Sequence, residues 1–107
     1  MTTFDEREET FERKFALDEE QKFKAIARRN RLLGLWAAEK LGKSGDAASS
    51  YAKEVVAAEF DGSGDADVIR KVLGDFNAKN VAITDIEVTT KMHEFLLQAV
   101  QQVKAGL

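Results

Sequence analysis

Apolar side chains recur along this chain with the period of a helix. From Phe4 to Leu41 there is no proline and no turn cluster, and Gly34 is the only residue that would break a helix. Gly42, Ser44 and Gly45 supply a stop, and Ser44 or Asp46 a cap for a second helix from about Asp46 to Phe60, apolar at Tyr51, Ala52, Val55 and Val56. After Asp61-Gly-Ser-Gly, Asp65 is the predicted cap of a third helix running to about Ala78. In it Ile69, Val72, Leu73 and Phe76 fall at i, i+3, i+4 and i+7. A loop through Lys79, Asn80 and Val81 leads to Thr84-Asp-Ile-Glu87, a capping box whose end residues each satisfy the other's backbone N–H. The last helix places Val88, Met92, Leu96, Ala99 and Val103 on one side and ends near Gly106. No period-two alternation appears, so the expected class is all-α.

Length sets the architecture. As one helix, Phe4 to Leu41 would extend about 57 Å at the usual rise per residue. A compact domain of this size is only roughly 35 Å across. Glu20 to Leu41, at about 33 Å, fits that diameter. The expected organisation is therefore an N-terminal arm over 1–19 and a four-helix bundle over 20–107, the arm projecting, helical and partly disordered. Phe23, Ile26, Leu33, Trp36 and Ala37 form the stripe assigned to the bundle; Phe4, Phe11 and Phe15 share a face at i, i+7 and i+11, and Asp18, Glu19 and Lys22 interrupt the stripe between the two sets. Those phenylalanines have two readings. Either the arm folds back or packs its aromatics locally, or it is a partner helix that enters a groove on another protein.

Composition removes several function classes. The chain has 107 residues, a net charge of -3 and no cysteine, so no disulfide or thiolate site is available. It is long enough for one small domain, 44% hydrophobic, with no apolar run approaching the ~20 residues of a membrane span. The acidic opening does not read as a secretory leader, which predicts a cytoplasmic protein. Charge is segregated: residues 1–20 hold eight acids and three bases, whereas residues 21–31 hold Lys22, Lys24, Arg28, Arg29 and Arg31 with no acid. Helical i, i+4 pairs such as Glu9 with Arg13, Asp18 with Lys22 and Glu20 with Lys24 account for individual charges but not for the blocks. Five bases in an acidic chain are a weak footprint for nucleic acid, and none is expected as partner.

No catalytic constellation is present. His93 is the single histidine, and Ser44, Ser49, Ser50 and Ser63 have no base to activate them. Asp61, Ser63, Asp65 and Asp67 match the first four ligand positions of a calcium loop, but Ala66 stands where glycine is required and Val72 where a bidentate glutamate is required. Gly62-x-Gly64 stops short of a phosphate-cradling loop. The expectation is neither an enzyme nor a metal protein.

Several strings are more specific. Met1-Thr-Thr-Phe4-Asp5-x-Arg7 and Lys14-Phe15-Ala16-x-Asp18 open the chain, followed by Phe23-Lys24-Ala25-x-Ala27-Arg28-Arg29-Asn30-Arg31-Leu32-Leu33-Gly34-x-Trp36-Ala37-Ala38. Leu41-Gly42, Tyr51-Ala52 and Gly64-Asp65-x-Asp67-Val68 continue the series. Together these resemble the ATP synthase zeta subunits of alphaproteobacteria. That family often has a proline before the Gly-Asp, where Ser63 stands here, a departure that touches only the rigidity of that loop.

The resemblance implies a four-helix bundle that inhibits the F-type ATPase. Its N-terminal segment would insert between an alpha and a beta subunit near gamma and block hydrolysis, similar in action to the mitochondrial inhibitor protein. On this chain that segment is Met1 to about Leu17, with Phe4, Phe11 and Phe15 as anchors and Arg7, Arg13 and Lys14 as polar contacts. The family implies no required cofactor but ADP or ATP binding on the bundle. Arg28, Arg29 and Arg31 are the phosphate partners chosen on chemistry. It also implies a monomer when free, held at the cytoplasmic side of the inner membrane through the ATP synthase and not inserted into the bilayer. The alternative is a nucleotide-sensing helical module with another partner.

Overall fold

A computed structural model of the protein describes residues 14–59 and 64–107. Four helices carry the described fold: α1 (Glu19–Lys40), α2 (Gly45–Ala58), α3 (Asp65–Ala78) and α4 (Asp85–Lys104). No strand occurs among the described residues, so the all-α class and the bundle stand. The third helix has the bounds expected from its sequence, and the others differ by one or two residues at their ends.

α1 is the central element, packed along both α2 and α4. Its second half joins α2, α3 and the first half of α4 in the larger core, where Leu33, Val55, Val68, Val72, Phe76 and Val88 are fully enclosed. Trp36 seals the edge of that core, its ring meeting Phe76 edge-on at 5.8 Å between centroids. The first half of α1 meets the second half of α4 in a smaller cluster of Leu17, Ala25, Val100 and Val103, with Phe15 and Leu96 against it. Val88 pairs with the late part of α1 and Val103 with the early part, so the two helices run antiparallel. α1 and α2 approach closely at Gly34, where an added Cβ would lie 2.7 Å from the Ala52 Cα. The glycine in the long helix is therefore a packing requirement and not a break.

The cap residues explain the helix ends. Asp18 caps α1: its carboxylate accepts from the Gln21 N–H at 2.8 Å while the Gln21 side chain accepts from the Asp18 N–H at 3.1 Å. Ala16, immediately before, has φ of +54°, which turns the chain and ends the continuous helix that the sequence pattern allows. Thr84 Oγ1 accepts from the Glu87 N–H at 3.2 Å, while the Glu87 carboxylate lies 3.4 Å from the threonine hydroxyl. One cap expectation is met in position alone and another needs correction. Ser44 stands at the cap position of α2 without a side-chain bond, and Gly64, with φ of +69°, takes the cap position of α3 that was expected for Asp65. Asp65 is the first helical residue, and its carboxylate turns to Arg29.

The expected boundary between arm and bundle also moves. Leu17 is buried and Phe15 packs beside it, so the bundle takes in residues before Glu20. The physical reason is the turn at Ala16, which lays these two side chains against α4 and prevents α1 from continuing outward. Phe23, placed on the core stripe by periodicity, is instead 59% exposed. At its position α1 faces the rim of a cleft, not the core.

Candidate functional site

Phe4, Arg7, Phe11 and Arg13 lie outside the described residues. Of the remaining residues expected in the partner-binding segment, Lys14 is exposed and holds its ammonium 5.5 Å above the Phe15 ring. Phe15 is partly buried against the Leu17 and Val103 cluster. It is therefore a member of the bundle's smaller core cluster.

The three arginines expected to hold phosphate separate by helical geometry. Arg29 points into the bundle and is 3% exposed. Its guanidinium donates to Glu59 at 2.8 Å, to Asp65 at 2.7 Å and to Asn30 Oδ1 at 3.0 Å. Asn30, also enclosed, donates to the same Glu59 oxygen at 2.8 Å. Burial and the neighbouring Asp65 charge push the Glu59 carboxyl above its ordinary value, against the opposing pull of Asn30 and Arg29. With two carboxylates on it and no access to solvent, Arg29 has no room for a phosphate. It ties the two ends of the α2–α3 connection to α1. Removing one member would leave buried charge uncompensated, so the cluster is a structural lock.

Arg28 and Arg31 point elsewhere. With Lys24 they occupy i, i+4 and i+7 on α1 and line a cleft of about 820 Å³ between α1 and the end of α4. Arg28 donates to the Leu107 carbonyl at 2.5 Å and to Gln102 Oε1 at 3.4 Å, which fixes its guanidinium on the cleft wall. Lys24 reaches Glu20 at 3.2 Å through an exposed i, i+4 pair, and Arg31 is exposed. Phe23, Leu32, Val56 and Val103 supply apolar surface, and among the described residues no acidic side chain lines the cleft. A pocket of a few hundred to about a thousand cubic ångströms, mostly apolar with a few convergent charges, suits a drug-sized ligand. The basic i, i+4, i+7 stripe was visible in the sequence. Lys24 and Phe23 were passed over because one was read as a surface pair and the other as core.

A second polar cluster sits on α2 and α3. The Tyr51 hydroxyl donates to Asp75 at 2.7 Å, and Lys71 donates to the same Asp75 oxygen at 3.2 Å and to Glu54 at 3.3 Å. Burial and the Asp75 bond push the Tyr51 phenol well up. That group is a hydrogen-bond donor holding α2 to α3, with no catalytic neighbour. His93 is exposed on α4. No group of three or more metal-ligating side chains occurs among the described residues, and Asp61 and Ser63 of the calcium-like spacing lie outside them. No described helix is long and apolar enough to cross a membrane.

The family model for ATPase inhibitor subunit zeta matches residues 1–102. A protein solved by solution NMR is 50% identical, with 80% of this chain and 98% of that one covered and a TM-score of 0.70. None of the curated proteins compared matches the chain. The matched span takes in the N-terminal segment and all four helices except the last two residues of α4, and the chain belongs to the ATPase inhibitor subunit zeta family.

Proposed function

We propose that this protein inhibits ATP hydrolysis by the F-type ATP synthase through its N-terminal segment, inserted between an alpha and a beta subunit near gamma. The observation that carries the reading is the family match, which begins at residue 1 and so includes the segment. The described fold supports it: the described helices carry two core clusters of their own within 14–59 and 64–107, a base from which a further segment can act. Interface energy concentrates in a few aromatic anchors. Phe11→Ala is therefore expected to weaken inhibition by about 2 kcal/mol, roughly thirtyfold in affinity, with the melting temperature of the free protein unchanged. Phe15→Ala should lower the melting temperature, because that ring packs on the bundle. Titrating each variant against ATP hydrolysis by the purified enzyme decides the matter; undiminished inhibition by Phe11→Ala would overturn the mechanism.

The cleft supports a second reading, ADP or ATP binding on the bundle. Arg28, Arg31 and Lys24 would receive phosphate oxygens, and Phe23 offers an aromatic face at the rim. Arg29 is not part of it. Calorimetry with ATP on the parent and on Arg31→Gln tests this; equal affinities would remove the cleft from consideration.

A further inference from the structure

The charges around Arg29 do not balance. Among the described residues, Arg29 is the only cation bonded to Glu59 or to Asp65. A guanidinium keeps its charge, and Asn30 adds two hydrogen bonds but no charge. With both carboxyls ionised the cluster would hold one uncompensated negative charge, around side chains that are 4% exposed at Arg29 and 14% at Glu59.

The geometry places the two acids together. Glu59 Oε1 and Asp65 Oδ1 accept from the same Arg29 Nη2, at 2.8 and 2.7 Å, so the accepting oxygens converge on one nitrogen. Two carboxyls this close hold a proton between them, and its titration belongs to the pair. The groups acting on Glu59 are Arg29 and Asn30 from α1 and Asp65 from α3. Burial keeps the proton on, Asn30 and Arg29 oppose it, and Asp65 keeps it on.

The two acids differ in their freedom to leave. Glu59 is held by Asn30 as well as Arg29, and its Oε2 lies against the bare backbone of Gly64, 2.9 Å from where a Cβ would stand. Asp65 has a side chain 43% exposed and occupies the first position of α3. Gly64 gives that helix no side-chain cap. The first turn therefore rests on the Asp67 and Val68 N–H groups, which donate to the Gly64 carbonyl at 3.0 and 3.2 Å, and on the grip of Asp65 on Arg29. Val68 itself is fully enclosed and fastens the rest of α3 to the core.

We propose that Glu59 and Asp65 form a proton-operated latch on the start of α3. A proton shared by the two carboxyls keeps Asp65 on Arg29; its loss lets Asp65 swing to water and loosens the first turn while both core clusters stay packed. The latch belongs to the bundle alone and goes beyond the inhibitory reading, which neither requires it nor falls with it.

Amide hydrogen exchange on the full-length protein, compared with Glu59→Gln at each pH, tests the latch. Glutamine keeps the hydrogen bonds and cannot titrate. The Asp67 and Val68 amides of the parent should exchange faster relative to the variant by up to tenfold per pH unit above about 4.5, levelling off beyond the raised folded value. They should also be at least tenfold less protected than Val72 and Phe76, because the turn opens without the bundle. Asp65→Asn removes the charge that is driven off, so its first turn should show no such rise, which keeps the test decisive if Glu59→Gln does not fold. The carboxyl carbon signals of Glu59 and Asp65 should titrate together. A parent-to-variant ratio independent of pH, a rise that persists in Asp65→Asn, or independent titration of the two carboxyls would overturn the latch. So would equal protection of Asp67, Val68, Val72 and Phe76, since the turn would then open only with the whole molecule.

Discussion

The buried side chains of α1 show how much depends on single positions. Gly34 faces Ala52 so closely that a Cβ would sit 2.7 Å from the Ala52 Cα, which is backbone and cannot swing aside. Gly34→Ala improves helix propensity by about 1 kcal/mol. Overpacking at a tight crossing costs about 1 to 3 kcal/mol and wins here. The variant should melt lower than the parent in a thermal scan; a higher melting point would mean that α1 and α2 separate without penalty. Glu59 offers a test by pH. Burial and Asp65 raise its carboxyl above the ordinary 4.5, so the folded state keeps a proton that the unfolded chain has released. Stability from this group is thus present at acid pH and falls as pH rises from about 4.5 through the raised folded value. Glu59→Gln keeps an oxygen for Arg29 and Asn30 but does not titrate. The variant's melting temperature minus the parent's should climb across that window and then level off; a difference independent of pH would contradict the raised carboxyl. Neither residue was legible beforehand. Gly34 looks like a weak point in a helix, and Arg29 is indistinguishable in sequence from Arg28 and Arg31. Only the rotation of α1 against α2 and α3 sends Arg29 inward and the other two toward the cleft.

Helix existence was legible because apolar spacing and caps point the same way. The stripe through Val72 and Phe76 is enclosed as its spacing requires, and Thr84 caps α4 through the Glu87 N–H. The start of α1 was placed at Glu20 by length and not by its local signal, although that signal is written in the chain: Asp18 and Gln21 form a capping box. An uninterrupted run of helix formers on both sides hid it, since propensity alone has no reason to stop at Ala16. That residue holds the left-handed conformation at φ of +54°, which costs an L-residue with a Cβ roughly 1 kcal/mol. Ala16→Gly should therefore stabilise the folded protein slightly, by a few tenths to about 1 kcal/mol after the added freedom of the unfolded chain is counted. Asp18→Ala should cost about 1 kcal/mol through the lost cap. Chemical denaturation of both variants checks the pair. Destabilisation by glycine would show that the turn is not fixed in solution.

At the scale of the whole molecule, the question is where the bundle begins. Length alone separates a long helix from a small globule, but it cannot say which side chains near the boundary find a partner. Leu17 and Phe15 find one on α4. Deleting residues 1–13 removes no member of either described cluster, whereas deleting 1–18 removes Phe15, Leu17 and the Asp18 cap. Burying one large aliphatic side chain contributes about 1.5 to 3 kcal/mol and a cap about 1 more. The longer deletion should then melt ten or more degrees below the shorter one, at roughly 4 to 8 °C per kcal/mol for a domain of this size. Equal melting points would place those residues outside the cooperative unit. The cleft was only half legible for a similar reason: its basic stripe lies on one helix and can be counted, but its other wall comes from the end of α4, some seventy residues later.

Arg29 reaches both Glu59 and Asp65, one on each side of the connection between α2 and α3. The two helices are thereby riveted to α1 without help from the chain that links them. At the other end of the molecule Leu17 packs on Val103, and the Leu107 N–H bonds to the Gln102 carbonyl at 2.9 Å, so the first and last described turns are neighbours. A circular permutant follows: the chain opened between residues 61 and 62, and Leu107 joined to Lys14 through a short glycine linker. It should fold to the same bundle, because a connection whose flanks are independently fastened tolerates cutting. The Arg29→Ala version of that permutant should be much less stable, since Asn30 would still hold Glu59 but Asp65 would lose its guanidinium.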